Sequence, residues 1–495
     1  MILSASVRRI EVQHKLVFSR LEVVLKVFFF PESICMRSSL NRATAVLLYA
    51  LVSCGTSTFA QTPLRLQDVV DLAQTNYPAV RTAEAQVKAA SAGIDLARDA
   101  YLPRLDLIWQ ENRASVNNVF GTLLPQGVIP SISGPVLGTK SFDSTFGSTG
   151  GALFSWEPFD FGYRKANVDV ARDLTRQTEA TAAITRLDAA TSAADAFLAV
   201  LASEQAVLAA EANVTRAQVF ADSVRVLVNN QLRAGADAAR ADAELSASRI
   251  QLDRARQTVE ISRATLAEAI GTPGASVTVA QASLLELPLD LSIPPANLDT
   301  HPIVAAQKAA VETARAREYV WERAYYPRFT FQSSLSARGT SALTNGNFQG
   351  GAHGLFPTTP NFAVGMNVTF PAFDIFSIRS HRKIESGNAA VEQARLDQTM
   401  QFLKGQSARA QALIDGALRI AQETPNQLKS AQDAERLTRE RYKYGLATVT
   451  DVADAQRLLA QAEIENSVAR LNVWRALLVA ARLQGDLKPF LARVR

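Results

Sequence analysis

Two distant stretches of this chain carry the same landmarks in the same order. Asn76-Tyr77-Pro78 leads through an Ala-rich stretch to Tyr101-Leu102-Pro103-Arg104-Leu105. Thr300-His301-Pro302 leads in the same way to Tyr325-Tyr326-Pro327-Arg328-Phe329, at a constant offset of 224 positions. Farther along, Phe159-Asp160 matches Phe373-Asp374, Asp237 matches Asp451 and Gly271 matches Gly485, all at an offset of 214. The offset therefore drops by 10 between Pro103 and Phe159. A duplication of this length means two copies of one structural unit, whether as separate domains or as one large repeat assembly. The organisation read from it is a leader over 1–60, a first repeat over 61–271, a linker over 272–297 and a second repeat over 298–495.

Of the formal charge of +5, the leader carries +4. Residues 1–60 hold 7 Lys/Arg and 3 Asp/Glu, so residues 61–495 hold 45 against 44. Without a basic block, the electrostatic footprint of a nucleic-acid binder is missing. Met36-Arg37 to Arg42 reads as a basic n-region and Ala43 to Val52 as an apolar h-region. Thr58-Phe59-Ala60 then supplies small residues for signal-peptide cleavage before Gln61. Leu51-Val52-Ser53-Cys54 is a rival lipoprotein-like cleavage that would leave Cys54 lipidated. Cys35 and Cys54 are the two cysteines, so the chain after Ala60 has no thiol for a disulfide or metal site.

Within each repeat the hydrophobic period changes. Leu64 to Asn76 and Pro78 to Ala100 read as helices. Leu105, Leu107 and Trp109 then alternate with polar residues, as do Phe154 and Trp156. In the second half, Phe329 and Phe331 alternate, as do Phe362, Val364, Met366, Val368 and Phe370. Period two marks strands with one apolar face and one polar or small face. Gly/Ser/Pro-rich stretches at 111–150 and 337–361 separate the members of each pair, a loop length suited to the outer rim of a membrane barrel. Phe159, Phe329, Phe370 and Phe373 are placed near an interface.

Lys165 to Asn229 and Ser380 to Tyr444 are long runs of helix formers, about 95 Å at the helical rise. Each is followed by a second helix, Asp237 to Ile270 and Asp451 to Gln484. Their apolar stripes call for coiled-coil-like helix packing. Pro425 falls inside the second long helix and is expected to kink or break it. No stretch after the leader has 18 consecutive apolar residues, so no membrane helix is expected. Four strands are too few to close a barrel, so either the strands are not in a membrane or several chains share one barrel.

Taken together, Asn76-Tyr77-Pro78, Tyr101-Leu102-Pro103, the turns at Pro158-Phe159-Asp160 and Pro371-Ala372-Phe373-Asp374, Tyr442-Lys443-Tyr444-Gly445 and Thr450-Asp451-Val452-Ala453-Asp454-Ala455 resemble the TolC-like outer-membrane factor family over nearly all of residues 61–495. The resemblance implies a mixed, mainly α fold with transmembrane β. Duplicated long-helix hairpins would form a trimeric α-barrel, and four strands per chain would build a shared 12-stranded outer-membrane barrel. It further implies a homotrimeric, passive channel of a tripartite efflux pump in the cell outer membrane. Its partners would be outer-membrane lipid, a periplasmic adaptor (membrane fusion) protein and an inner-membrane pump, and its cargo small molecules. A type I protein-secretion duct is the alternative, and a non-channel periplasmic scaffold a more distant one.

The resemblance also implies an acidic constriction at the periplasmic end. Asp451 and Asp454 match it, three apart on one helical face, with Asp237 as the first-half counterpart. A helix cap built from Thr448 and Asp451 is the plainer reading of the same residues, and the two are compatible. Tyr442 matches a tyrosine of the closed-state latch, whereas Ala447 stands where the latch would need an arginine. Gly235 lies four residues closer to its aspartate than Gly445 does, which suggests a different first-half turn. The polar strand residues Asp106, Ser155, Glu157, Thr330, Gln332, Asn367 and Thr369 are expected to face the barrel lumen. The four histidines, His14, His301, His353 and His381, lack ligand spacing. No phosphate loop, dinucleotide fingerprint or nucleophile elbow is present. Neither enzymatic activity nor a cofactor is expected.

Overall fold

The computed structural model describes residues 63–115, 143–279, 282–288, 300–341, 343 and 347–494. The leader, its cleavage site and Cys54 lie outside the described residues, as does most of the stretch after Leu287 in the expected linker.

Each half has the same order of elements. The first contains α1 (Leu66–Asn76), α2 (Pro78–Asp99), β1 (Arg104–Ser115), β2 (Ser144–Phe159), α3 (Tyr163–Asn229) and α4 (Gly235–Ala269). A short 3-10 turn, Ala282–Leu285, lies between the halves. The second half contains α5 (Pro302–Arg323), β3 (Arg328–Thr340), β4 (Thr359–Thr369), α6 (Ile375–Lys443), α7 (Val449–Gln484) and α8 (Lys488–Arg493). The element starts keep the two offsets: α2 and α5 begin at Pro78 and Pro302, α4 and α7 at Gly235 and Val449. Proline is suited to a first helical position because its missing N–H would be unpaired there anyway.

The strands form one antiparallel sheet in the order β1-β2-β3-β4, leaving β1 and β4 as edges. β1 and β2 extend into the stretch expected to be loop, as Asn112 pairs with Gly147 and Gln110 with Thr149. The Gly/Ser/Thr run at 147–151 lacks apolar alternation, yet pairing with β1 and β3 holds it as strand. Beneath the sheet, α2, α3, α5 and α6 pack side by side in the strand order. Beyond the middle of the long helices the order becomes α4, α3, α7, α6. α3 is therefore interior, whereas α6 is an edge over its whole length.

The main apolar core sits midway along α3. Ala190, Phe197, Leu198 and Val200 are fully covered there by α1, the 3-10 turn, α7 and α8. This part of α3 is apolar enough to cross a membrane by composition, but more than half of that window is buried within the chain, as in a core helix. In each half the chain returns to its own start. A Cβ on Gly271, at φ +77°, would lie 2.8 Å from the Asn76 carbonyl oxygen. One on Gly485, at φ +81°, would lie 2.7 Å from Pro302. These landmarks are thus paired contacts in space. His301 is buried at the second contact. Its Nδ1 accepts the Ile303 N–H (3.2 Å), and Nε2 lies 3.3 Å from the Arg482 carbonyl oxygen.

Pro425 does not end α6, which runs unbroken from Ile375 to Lys443. The proline forgoes one backbone bond, while Ala421, Thr424 and Ala431 on either side of it are buried.

Candidate functional site

At the far end of the helices, two five-residue turns close the hairpins. The expectation that they differ is not met. Leu232 N–H bonds to the Leu227 carbonyl and Leu446 N–H to the Arg441 carbonyl, both at 2.9 Å. Gln231 (φ +61°) occupies the left-handed place that Gly445 (φ +74°) takes in the second turn. Both helices end in the same hydrogen-bonded closure, with its left-handed residue just past the helix. Gly235 is shifted along the chain because it serves as the first residue of α4 instead.

Asp451 caps α7. Its carboxylate accepts the Thr448 N–H at 2.7 Å and the Thr448 hydroxyl at 2.9 Å, and the Thr448 Oγ1 accepts the Asp451 N–H at 3.2 Å. The bonds from the Thr448 backbone and hydroxyl hold this exposed carboxyl below the usual carboxylate range. Asp454 pairs with Arg457 at 2.5 Å, and Arg457 also reaches Glu244 of α4 at 3.2 Å. Asp237 lies in the first turn of α4, which Ala234 starts without a side-chain cap.

Tyr442 is buried and packs edge-on against Phe220, with ring centroids 5.2 Å apart. Arg233 of the first turn crosses to it. The guanidinium lies 4.8 Å above the ring and donates to the Tyr442 carbonyl at 3.1 Å. Burial raises the phenol pKa. Arg233 thus engages Tyr442 from the other hairpin. The roles of Arg233 and Arg457 were missed in the sequence. Arg457 carried one signal, its spacing of three from Asp454. Arg233 carried none, since it meets a residue 209 positions away.

At the opposite end, the register sorts the strand residues by face. Ser155 pairs with Arg104 and Gln332, Thr330 with Asn367, and Arg328 with Thr369. Asp106, Ser155, Thr330, Gln332, Asn367 and Thr369 therefore share one face. Glu157 lies in the irregularity between Trp156 and Phe159, where the strand slips by one residue against β3. Asp106 is ion-paired to Arg104 at 2.9 Å, and Ser155 accepts from Gln332 at 3.2 Å. The other face carries Leu107, Trp109, Leu335, Phe362 and Met366, of which Leu107 and Phe362 are 79% and 82% exposed. An apolar band of this size on the surface of a sheet calls for lipid or protein to cover it.

The family model for outer membrane efflux proteins matches residues 69–272 and 294–484. The chain belongs to the outer membrane efflux protein family. A search of the curated proteins finds no match. Among solved structures, the chain is similar to the Campylobacter jejuni CmeC outer membrane channel, at 14% identity and TM-score 0.69, covering 92% of this chain and 94% of that one. It is similar to the open state of the Neisseria gonorrhoeae MtrE outer membrane channel, at 20% identity and TM-score 0.67, covering 85% and 89%. It also resembles CusC, whose structures concern transmembrane channel formation, at 15% identity and TM-score 0.70, covering 86% and 93%. These likenesses share the fold seen here, long helices beneath a four-stranded antiparallel sheet, and the family is one of channels in the outer membrane.

Proposed function

We propose that this protein is the passive outer-membrane duct of a tripartite efflux pump, working as a homotrimer with a periplasmic adaptor and an inner-membrane pump to export small molecules. The observation that carries the reading is that every layer is open at the same two sides. One side presents β1, α2 and α4, and the other presents β4 and α6. An open sheet edge cannot stand in lipid. Joining one side to the other side of the next copy is a head-to-tail contact that closes as a ring. Three copies give twelve strands, enough for a closed barrel. The apolar band then faces lipid, and the face with Asp106, Ser155, Thr330, Gln332, Asn367 and Thr369 lines the lumen together with Glu157.

The narrow end is the periplasmic tip. Three copies of Asp451, Asp454 and Asp237 around one axis favour cations. In the single chain Asp451 also caps α7 and Asp454 shares Arg457, so part of the negative charge is compensated. The contacts of Arg233 on Tyr442 and of Arg457 on Glu244 tie the two hairpins together and act as the latch of the closed tip.

Single-channel recording in a planar bilayer tests the reading. A small steady conductance, blocked by a trivalent cation from the tip side and less so in Asp451→Asn/Asp454→Asn, is the expected result. Channels insensitive to the cation in both proteins would leave the duct and remove the ring. A water-soluble monomer without conductance would overturn the duct itself.

A further inference from the structure

Just below the sheet, the two sides of the helical layer can be told apart by ring contacts. On the lumen side, the Arg328 guanidinium lies 4.4 Å from the Tyr163 ring, and Arg328 shares its strand face with Thr330 and Gln332. On α5 and α6, Trp321 and His381 stack with centroids 4.2 Å apart. The opposite side is marked by Phe161, which stacks on Tyr326 at 5.4 Å and touches Phe159 and Phe329. Phe329 is on the strand face of the apolar band. Tyr326 and Tyr319 both hold Arg323, with 5.7 and 4.5 Å to the ring centroids. Trp321 lies two positions from both Tyr319 and Arg323. Residues two apart on a helix project to roughly opposite sides, so the Trp321–His381 stack lies on the lumen side.

The same rule places three cations. Lys165 follows Tyr163 by two positions, and Arg379 and Lys383 flank His381 by two, so all three project outward, below the apolar band. All three are exposed, and none has a carboxylate within ion-pair distance among the described residues. Phe376, 69% exposed, shares the face of α6 with Arg379 and Lys383. Lys165 and Arg379 are also equivalents in the duplication, 214 positions apart. Lys165 sits in the first turn of a long helix, where the helix dipole disfavours a cation. Helix stability therefore gives no reason for it.

We propose that this outer collar binds the anionic headgroups of phospholipids at the periplasmic edge of the membrane, with Lys165, Arg379 and Lys383 on the phosphates and the aromatic rings at the level of the headgroups. The inference rests on the membrane reading of the sheet. Its chemistry is that of basic and aromatic residues flanking a lipid-facing band: cations near an anionic surface are attracted to it, and aromatic rings settle at the interface. The free cations adjoin the apolar band directly, which singles out a lipid headgroup over a soluble anion.

The test is native mass spectrometry of the full protein in an uncharged detergent with equal amounts of phosphatidylglycerol and phosphatidylcholine. Phosphatidylglycerol adducts are expected to prevail. The preference should fall roughly fivefold for each cation removed in Lys165→Gln, Arg379→Gln and Lys383→Gln. The charge-keeping Arg379→Lys should retain it, which separates lipid binding from damage to the helix. Equal retention of the two lipids, or a preference unchanged in the triple Gln variant, would overturn the collar. Carbonate extraction from vesicles distinguishes the two levels of failure. A protein that stays in the bilayer without lipid preference loses only the collar, and one that is released loses the membrane reading as well.

Discussion

The long helices α3 and α6 occupy equivalent places in the two halves and differ in length by two residues, 67 against 69. α3 buries 23 of its side chains and α6 only 10. The difference comes from position in the layer. α3 has neighbours on both sides along its length, α2 and α5 above and α4 and α7 below. α6 has neighbours on one side only, and Ile384, Val391, Phe402, Leu413 and Ile420 remain exposed along it. One helix is an interior element, and the other keeps an apolar stripe that the chain itself leaves uncovered. The edge helix also carries Gly387, Gly405, Gly416 and Pro425, none of which α3 contains.

The comparison can be broken most directly in the core. Phe197→Ala in α3 removes a fully buried ring and should cost about 3–5 kcal/mol of stability. Phe402→Ala in α6, 58% exposed in one chain, should leave the isolated chain within about 1 kcal/mol of its original stability. Denaturant titration of both variants decides, and equal losses would mean that α6 is not an edge.

Next in size is assembly. Ile420→Asp should abolish the trimer while leaving helix content intact, because a charge would be buried without a partner against the next copy. Size-exclusion chromatography with light scattering reads the mass, alongside circular dichroism.

A smaller effect tests whether the halves remain equivalent at mid-height. Gly271→Ala and Gly485→Ala each place a Cβ at a left-handed backbone position, which costs about 1–2 kcal/mol. The contacts with Asn76 and with Pro302 add to it. Thermal unfolding should show similar losses for both, and a loss at one site alone would sharpen the difference between the halves.

Smaller still is the tip. Gln231→Gly relieves a left-handed glutamine and should stabilise the first turn by roughly 0.5–1 kcal/mol. Slower hydrogen exchange in residues 227–232 would register it.

The least effect is expected from pH. The Thr448 backbone N–H and hydroxyl lower the Asp451 carboxyl in the folded protein relative to its unfolded value. Its contribution is therefore complete above the unfolded value and is lost as the pH falls through the lowered folded value, from about pH 5 downward. Hydrogen exchange, corrected for its intrinsic pH dependence, should show the first turn of α7 loosening with acid. The first turn of α4, which lacks a side-chain cap at Ala234, should show no comparable change.

Helix limits were largely legible in the sequence. The stretch from Lys165 to Asn229, free of Pro and Gly, foretold α3 to within two residues. Strand limits were less so, because the 147–151 run of Gly, Ser and Thr has no alternation of its own and is strand only through its neighbours. The rule that proline breaks a helix failed at Pro425, where the flanking buried residues hold α6 in place. At the tip, the Thr448–Asp451 cap was readable from local spacing. Arg233 on Tyr442 was not, because nothing within one turn of sequence indicates a partner from the other hairpin.

By itself, the sequence determined the duplication, the long helices, the two-faced strands and the family. All of these are written in local periodicity and in the spacing of repeated landmarks. Only the tertiary structure decided that α3 lies inside and α6 at the edge, that Gly271 meets Asn76 and Gly485 meets Pro302, and that Arg233 meets Tyr442. Those are relations between segments separated by up to hundreds of residues. They depend on which apolar stripe finds cover within the chain and which is left for a neighbour or for lipid.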